Sequence, residues 1–150
     1  MIWVAWGLET KSDSDCRVAV NAFQKGAMNK KNVLIVEDDI NSREGLKAMI
    51  GMYGFNVDTS KDGLQAIKKI KEKFFEVAVI DINLPPVLNV EINGWDLIRI
   101  FRSFNPDIHI IVVSGEKGIQ GRAQHFNLDG CLEKPIRPSH LKSLMETLHE

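Results

Sequence analysis

Apolar residues along the chain change period in a fixed order. Val33 to Val36 form a short unbroken run, the pattern of a strand covered on both faces. Leu46, Met49, Ile50 and Tyr53 then recur at i, i+3, i+4 and i+7, one face of a helix, with Gly54 placed to stop it. Phe55 to Thr59 read as a second strand, and Ala66, Ile67, Ile70 and Phe74 as a second helix opened by Asp62 as N-cap. Val77 to Ile80 give a third buried strand, Leu97, Ile98, Phe101 and Phe104 a third helix, and Ile108 to Val113 a fourth strand. A fourth helix is expected over residues 116–126, weakened by Gly118 and Gly121, each costing about 1 kcal/mol relative to Ala. Asn127 supplies its left-handed end. Cys131 and Leu132 mark a fifth strand, and Leu141, Leu144, Met145 and Leu148 line a last helix.

Five strand–helix units in sequence require a parallel sheet with helices on both faces, joined by right-handed crossovers. The expected fold is a doubly wound, flavodoxin-like α/β domain, with five strands in the order 2-1-3-4-5 and five helices. The alternation begins only near Met28; from Glu9 to Lys25 the chain is polar and without period. Residues 28–150 are therefore assigned to the domain and residues 1–27 to an N-terminal extension. That extension reads as a mobile tail or the product of an upstream start, or else as a docking segment using Trp3 and Trp6. Met1 to Leu8 is too short for a membrane span, which takes about 20 residues, and it lacks a basic lead and cleavage site.

Composition narrows the function. A chain of 150 residues with 44% apolar and 26% charged residues is an ordinary single globular domain. Nineteen Lys and Arg against 20 Asp and Glu leave a net charge of −1, without the surplus that phosphate-backbone binding needs, so neither nucleic acid nor membrane is an expected partner. Cys16 and Cys131 stand far apart, with no zinc or disulfide spacing, which fits a reducing cytoplasm. His109, His125, His140 and His149 lack metalloprotease spacing, and Lys68, Lys69, Lys71 and Lys73 interleave with an apolar stripe as a solvated face.

In open α/β sheets, ligands bind outside the carboxyl ends of the strands. Here those ends carry Glu37, Asp38 and Asp39, then Asp81, then Ser114, then Lys134 and Pro135. With the first and third strands adjacent, the acidic cluster meets Asp81 in one crevice. Crowded carboxylates need a counter-charge, and an all-oxygen site suits Mg²⁺, or Mn²⁺ by the same preference.

The segments VLIVEDD (Val33–Asp39), VIDINLP (Val79–Pro85), VVSG (Val112–Gly115) and EKP (Glu133–Pro135) resemble the receiver domain of two-component response regulators. The match runs from Lys31 to about Leu148. The resemblance implies that Asp81 is the phospho-acceptor, that Glu37, Asp38, Asp81 and the backbone carbonyl of Asn83 hold Mg²⁺, and that Ser114 and Lys134 bind the phosphoryl oxygens. Pro135 corresponds to a cis proline, and Asp39 is structural. The implied activity is a signalling switch. It catalyses its own phosphorylation and dephosphorylation without a separate enzymatic output, taking the phosphoryl group from a sensor histidine kinase or histidine phosphotransfer protein and acting on a downstream protein. With no output domain evident before Glu150, the expected form is a stand-alone, chemotaxis-type receiver or one cut from a longer protein.

The chain departs from the family in two places. Cys131 stands where receivers usually carry Tyr or Phe, so ordering of the fourth helix is expected to replace aromatic rotation. The loop after the third strand is enlarged within Pro86 to Ile92. Two rival readings are a pseudo-receiver that binds without phosphorylation and a haloacid dehalogenase-class phosphatase. The second needs a general acid where Asn83 stands.

Overall fold

The unbroken apolar runs become central strands because both their faces are covered. In the computed structural model, which describes residues 30–117 and 119–149, Val33 to Val36 have no exposed surface. The expected extension over residues 1–27 lies outside the described residues. In chain order the elements are β1 (Asn32–Val36), α1 (Ile40–Met52), β2 (Asn56–Ser60), α2 (Gly63–Glu72), β3 (Val77–Asp81) and α3 (Gly94–Phe104). They continue with β4 (His109–Ser114), α4 (Gln120–Ala123), β5 (Gly130–Glu133) and α5 (Pro138–His149). The five strands are all parallel in the order β2-β1-β3-β4-β5, as the sequence predicts.

Alternation along each strand divides the core into two layers. Leu34, Val36, Ala78, Ile80, Ile110 and Val112 share one layer with Ala66 and Ile70 of α2 and Leu97, Ile98 and Phe101 of α3. Val33, Ile35, Val77, Val79, Ile111 and Val113 share the other with Leu46 and Ile50 of α1 and Leu141, Met145 and Leu148 of α5. Each Val, Leu, Ile, Phe or Met among them contributes about 1.5–3 kcal/mol by leaving water. Among the described residues no helix is long and apolar enough to cross a membrane.

Local chemistry sets most boundaries as expected. Asp39 accepts the Ser42 N–H and caps α1, and Asp62 accepts the Gln65 N–H and caps α2. Gly54, at φ 93°, ends the α1 segment in a conformation costly for other residues. Asn127 is left-handed at φ 51°, and the Lys134–Pro135 bond is cis.

Three expectations are corrected. The fourth helix is not continuous over 116–126: α4 has four residues and continues as a 3₁₀ turn, Gln124–Phe126. Only Ile119 and Ala123 of this segment are buried among its described side chains, too little packing to offset Gly121. Phe74 does not face the core from α2; the helix stops at Glu72, Phe74 is 62% exposed, and Phe75 is buried in its stead. Phe104, the last residue of α3, is likewise half out in solvent. The enlarged loop folds into a tight antiparallel bridge between Val87 and Val90. Leu88 and Asn89, at φ 52° and 63°, form its turn, a left-handed conformation that costs Leu88 about 1–2 kcal/mol.

Candidate functional site

Four strand ends deliver the site. Register puts β3 between β1 and β4, so the residues that leave these strands meet above the sheet. Glu37 follows β1 and is almost wholly buried, its N–H donating to the Ser60 carbonyl at the end of β2 (3.0 Å). Asp81 closes β3, 5% exposed, and its Oδ1 accepts the Asn83 N–H at 2.9 Å. Carboxylate oxygens of Glu37, Asp38 and Asp81 all lie within 4.8 Å of one another.

Lys134 reaches into this cluster from beyond β5. Its N–H donates to the Ser114 carbonyl at 2.8 Å, and its Nζ lies 2.9 Å from Glu37 Oε2 and 3.0 Å from Asp81 Oδ2. Glu37 Oε2 has this ammonium as its partner and no other donor among the described residues. Burial pushes the Glu37 carboxyl above its ordinary value, Lys134 opposes this, and repulsion from Asp81 adds to it. For Lys134, burial works against the charge, but the bonds and charges of Glu37 and Asp81 win and hold the ammonium above its usual range. The donor set therefore fits a small hard cation: three clustered carboxylates, repelling each other and only partly balanced by one ammonium.

Ser114 is fully buried at the end of β4, and its Oγ accepts the Glu116 N–H at 2.9 Å. Glu37, Asp38, Asp81 and Lys134 are thus brought together, Asn83 enters through its backbone amide, and Ser114 flanks them on the next strand. Asp39 turns away to cap α1, as expected of a structural residue. Two contributors escape a reading of strand ends. Arg43, one turn into α1, donates from Nη1 to the carbonyls of Glu37 (2.9 Å) and Asp38 (3.2 Å), holding the acidic loop from behind. Its signal was a cation four residues after the capping Asp39. Gly94 donates its N–H to the Ile82 carbonyl, and a Cβ there would sit 2.7 Å from the Asp81 carbonyl oxygen and the Ile82 Cα. The close approach of α3 to the end of β3 requires glycine.

On β5, Cys131 is a half-buried free thiol whose pKa burial raises. It lines a cavity of about 530 Å³ with Ala123, Gln124, Asn127, Leu128 and His140.

The family model for the response regulator receiver domain matches residues 33–146. The chain belongs to the response regulator receiver family. Receivers of two-component systems are signalling switches that bind Mg²⁺ at an acidic pocket, and the carboxylates of Glu37, Asp38 and Asp81 cluster here. The chain is 28% identical over 119 residues to the transcriptional regulatory protein ZraR of Klebsiella oxytoca, covering 79% of this chain and 26% of that one. It is also 28% identical over 123 residues to the sensor protein EvgS of Escherichia coli O157:H7, covering 81% of this chain and 10% of that one. The chain thus spans only a small part of these relatives. Among solved structures, it resembles the response regulator protein TrrA of Thermotoga maritima in complex with Mg²⁺–BeF, at 25% identity and a TM-score of 0.69, over 79% of this chain and 98% of that one.

Proposed function

We propose that this receiver is a phospho-accepting switch in which Asp81 takes a phosphoryl group from a phosphohistidine on a sensor kinase or histidine phosphotransfer protein. An Asp81 carboxylate oxygen forms the new O–P bond, the P–N bond to the donor imidazole breaks, and the departing nitrogen keeps the bonding pair. The product is a labile mixed anhydride, which suits a temporary mark on protein contacts. The observation that carries the reading is the convergence of Lys134 on Asp81 and Glu37, which fixes an ammonium beside the acceptor oxygen where phosphoryl charge develops.

Glu37, Asp38, Asp81 and the Asn83 carbonyl would hold Mg²⁺, or Mn²⁺ in its place, which when bound neutralises charge on the transferring oxygens. The Ser114 hydroxyl would donate to one phosphoryl oxygen and Lys134 to another. Arg43 keeps the backbone of Glu37 and Asp38 still, so their carboxylates need no rearrangement. Support for the metal comes from the donor chemistry and from TrrA, solved with Mg²⁺–BeF. A cytoplasmic location, where kinases deliver phosphoryl groups to such domains, completes the reading.

The test is incubation of the chain and an Asp81→Asn variant with acetyl phosphate, with and without Mg²⁺, followed by intact-protein mass spectrometry. One phosphoryl adduct on the parent alone, dependent on Mg²⁺, is the expected result. Absence of the adduct with acetyl phosphate and with phosphorylated kinases, together with absent Mg²⁺ binding, overturns it in favour of a pseudo-receiver.

A further inference from the structure

A continuous line of contacts leads from the acceptor strand to the segment that contains α4. Asp81 is followed by Ile82, whose N–H donates to Val113 (3.1 Å) and whose carbonyl accepts the Gly94 N–H (3.0 Å). Gly94 cannot move independently of this strand, since its Cα already lies too close to Asp81 and Ile82 for a Cβ. The next residue, Trp95, is 4% exposed and stacks on Phe126, ring centroids 4.7 Å apart and planes inclined by 30°. Arg122 lies 5.0 Å from the Trp95 ring and Arg99 lies 5.0 Å from the Phe126 ring, so the pair is bracketed by two cations. Arg102 of α3 donates to the carbonyls of Phe126 and Asn127 at the segment's end.

The segment is therefore tied to the site twice. Its start follows Ser114, whose Oγ accepts the Glu116 N–H, and its end rests on Trp95. Between these ties lies a four-residue helix with little core of its own. Such a stretch sits at the low end of local stability and takes its conformation from its anchors. The buried Trp95 Nε1 has no hydrogen-bond partner, so packing against Phe126 and Arg122, and not a polar bond, sets the indole's position.

We propose that Trp95 is a positioning residue through which the state of Asp81 sets the conformation of residues 119–128, the Trp95–Phe126 stack being the coupling contact. Resting on the phospho-acceptor reading, this assigns the transmitting role to α3 instead of β5, where Cys131 offers no aromatic ring.

The test uses the full chain with Trp3→Phe and Trp6→Phe, so that Trp95 is the only indole, and adds Mg²⁺ with beryllofluoride as phosphoryl analogue. Trp95 emission is expected to change, and amide exchange of residues 119–128 to slow several-fold. Phe126→Leu is expected to keep the Mg²⁺-dependent acetyl phosphate adduct while losing the slowing, and Trp95→Phe, which preserves a stack, to retain it. If Phe126→Leu fails to fold, Phe126→Met, which also removes the ring stack while keeping an apolar side chain, is expected to lose the slowing too. A stack that were only glue would loosen the segment equally with and without the analogue, leaving the ratio of rates unchanged. That unchanged ratio, or constant Trp95 emission while the adduct forms, overturns the proposal and leaves the phospho-acceptor reading standing. Failure to form the adduct at all removes that reading and this inference with it.

Discussion

Two helices flank the site and are built in opposite ways. α3 has 11 residues, opens with a reciprocal capping box between Asn93 and Asp96, and buries Gly94, Trp95, Leu97, Ile98 and Phe101. α4 has four residues, ends in a 3₁₀ turn and, among its described side chains, buries Ala123, with Ile119 buried just before it. One side of Asp81 is held to a fixed distance by a helix that can stand on its packing; the other is bordered by a segment whose shape depends on what holds its ends. A switch needs that inequality, because a perturbation at Asp81 is expressed where resistance is least.

The comparison is sharpest when one substitution is made in both helices. Gly94→Ala should destabilise the chain by about 3 kcal/mol, since the added methyl meets backbone atoms that cannot give way. Gly121→Ala, whose Cβ would meet nothing within 4 Å, should stabilise it by about 0.5–1 kcal/mol and slow amide exchange in α4. Urea unfolding of both variants gives the two signs, and a destabilising Gly121→Ala would break the view that poor helix propensity weakens α4.

Next in size is Arg102→Met, which removes the donor to Phe126 and Asn127. A loss of about 1–2 kcal/mol is expected, with faster exchange over residues 120–128 and unchanged protection in α3. Equal acceleration in both helices would show that the two are one cooperative unit.

On the rigid side, Glu37 has a pKa raised chiefly by burial, so its charged form costs stability at neutral pH that is recovered as pH falls through the folded value. Metal-free Glu37→Gln should therefore melt above the parent at pH 7, and its advantage should shrink on acidification toward the ordinary carboxyl range. Adding Mg²⁺ should reverse the order. Thermal melts with and without Mg²⁺ check both signs. The smallest effect concerns Cys131, whose pKa burial raises: in a Cys16→Ser background it should alkylate more slowly at pH 7 than a free cysteine, with no change in stability.

Much of this was legible along the chain. Unbroken apolar runs announced strands covered on both faces, and Asp62 and Asn127 announced their cap and turn in advance. Glu37, Asp38, Asp81 and Lys134 could be grouped because parallel strands deliver their carboxyl ends to one edge. Other features were hidden because neighbours outside the local window decide them. Phe74 and Phe75 have the same hydrophobicity, and only the early end of α2 at Glu72 sends the second inward. Arg43 looks like any helix-surface cation until the Glu37 and Asp38 carbonyls turn toward it. Nothing in Leu88 forecasts a left-handed turn, a conformation imposed when Val87 and Val90 pair.

By itself, then, the sequence determined the alternation of elements, the two-layered core and the chemical types waiting at each strand end, because period and residue chemistry act over a few positions. Tertiary structure decided the rest: which oxygens Lys134 bridges, how near α3 stands to Asp81, and that Trp95 meets Phe126. Those are distances between segments far apart in the chain, and only the packed sheet and its helices can set them.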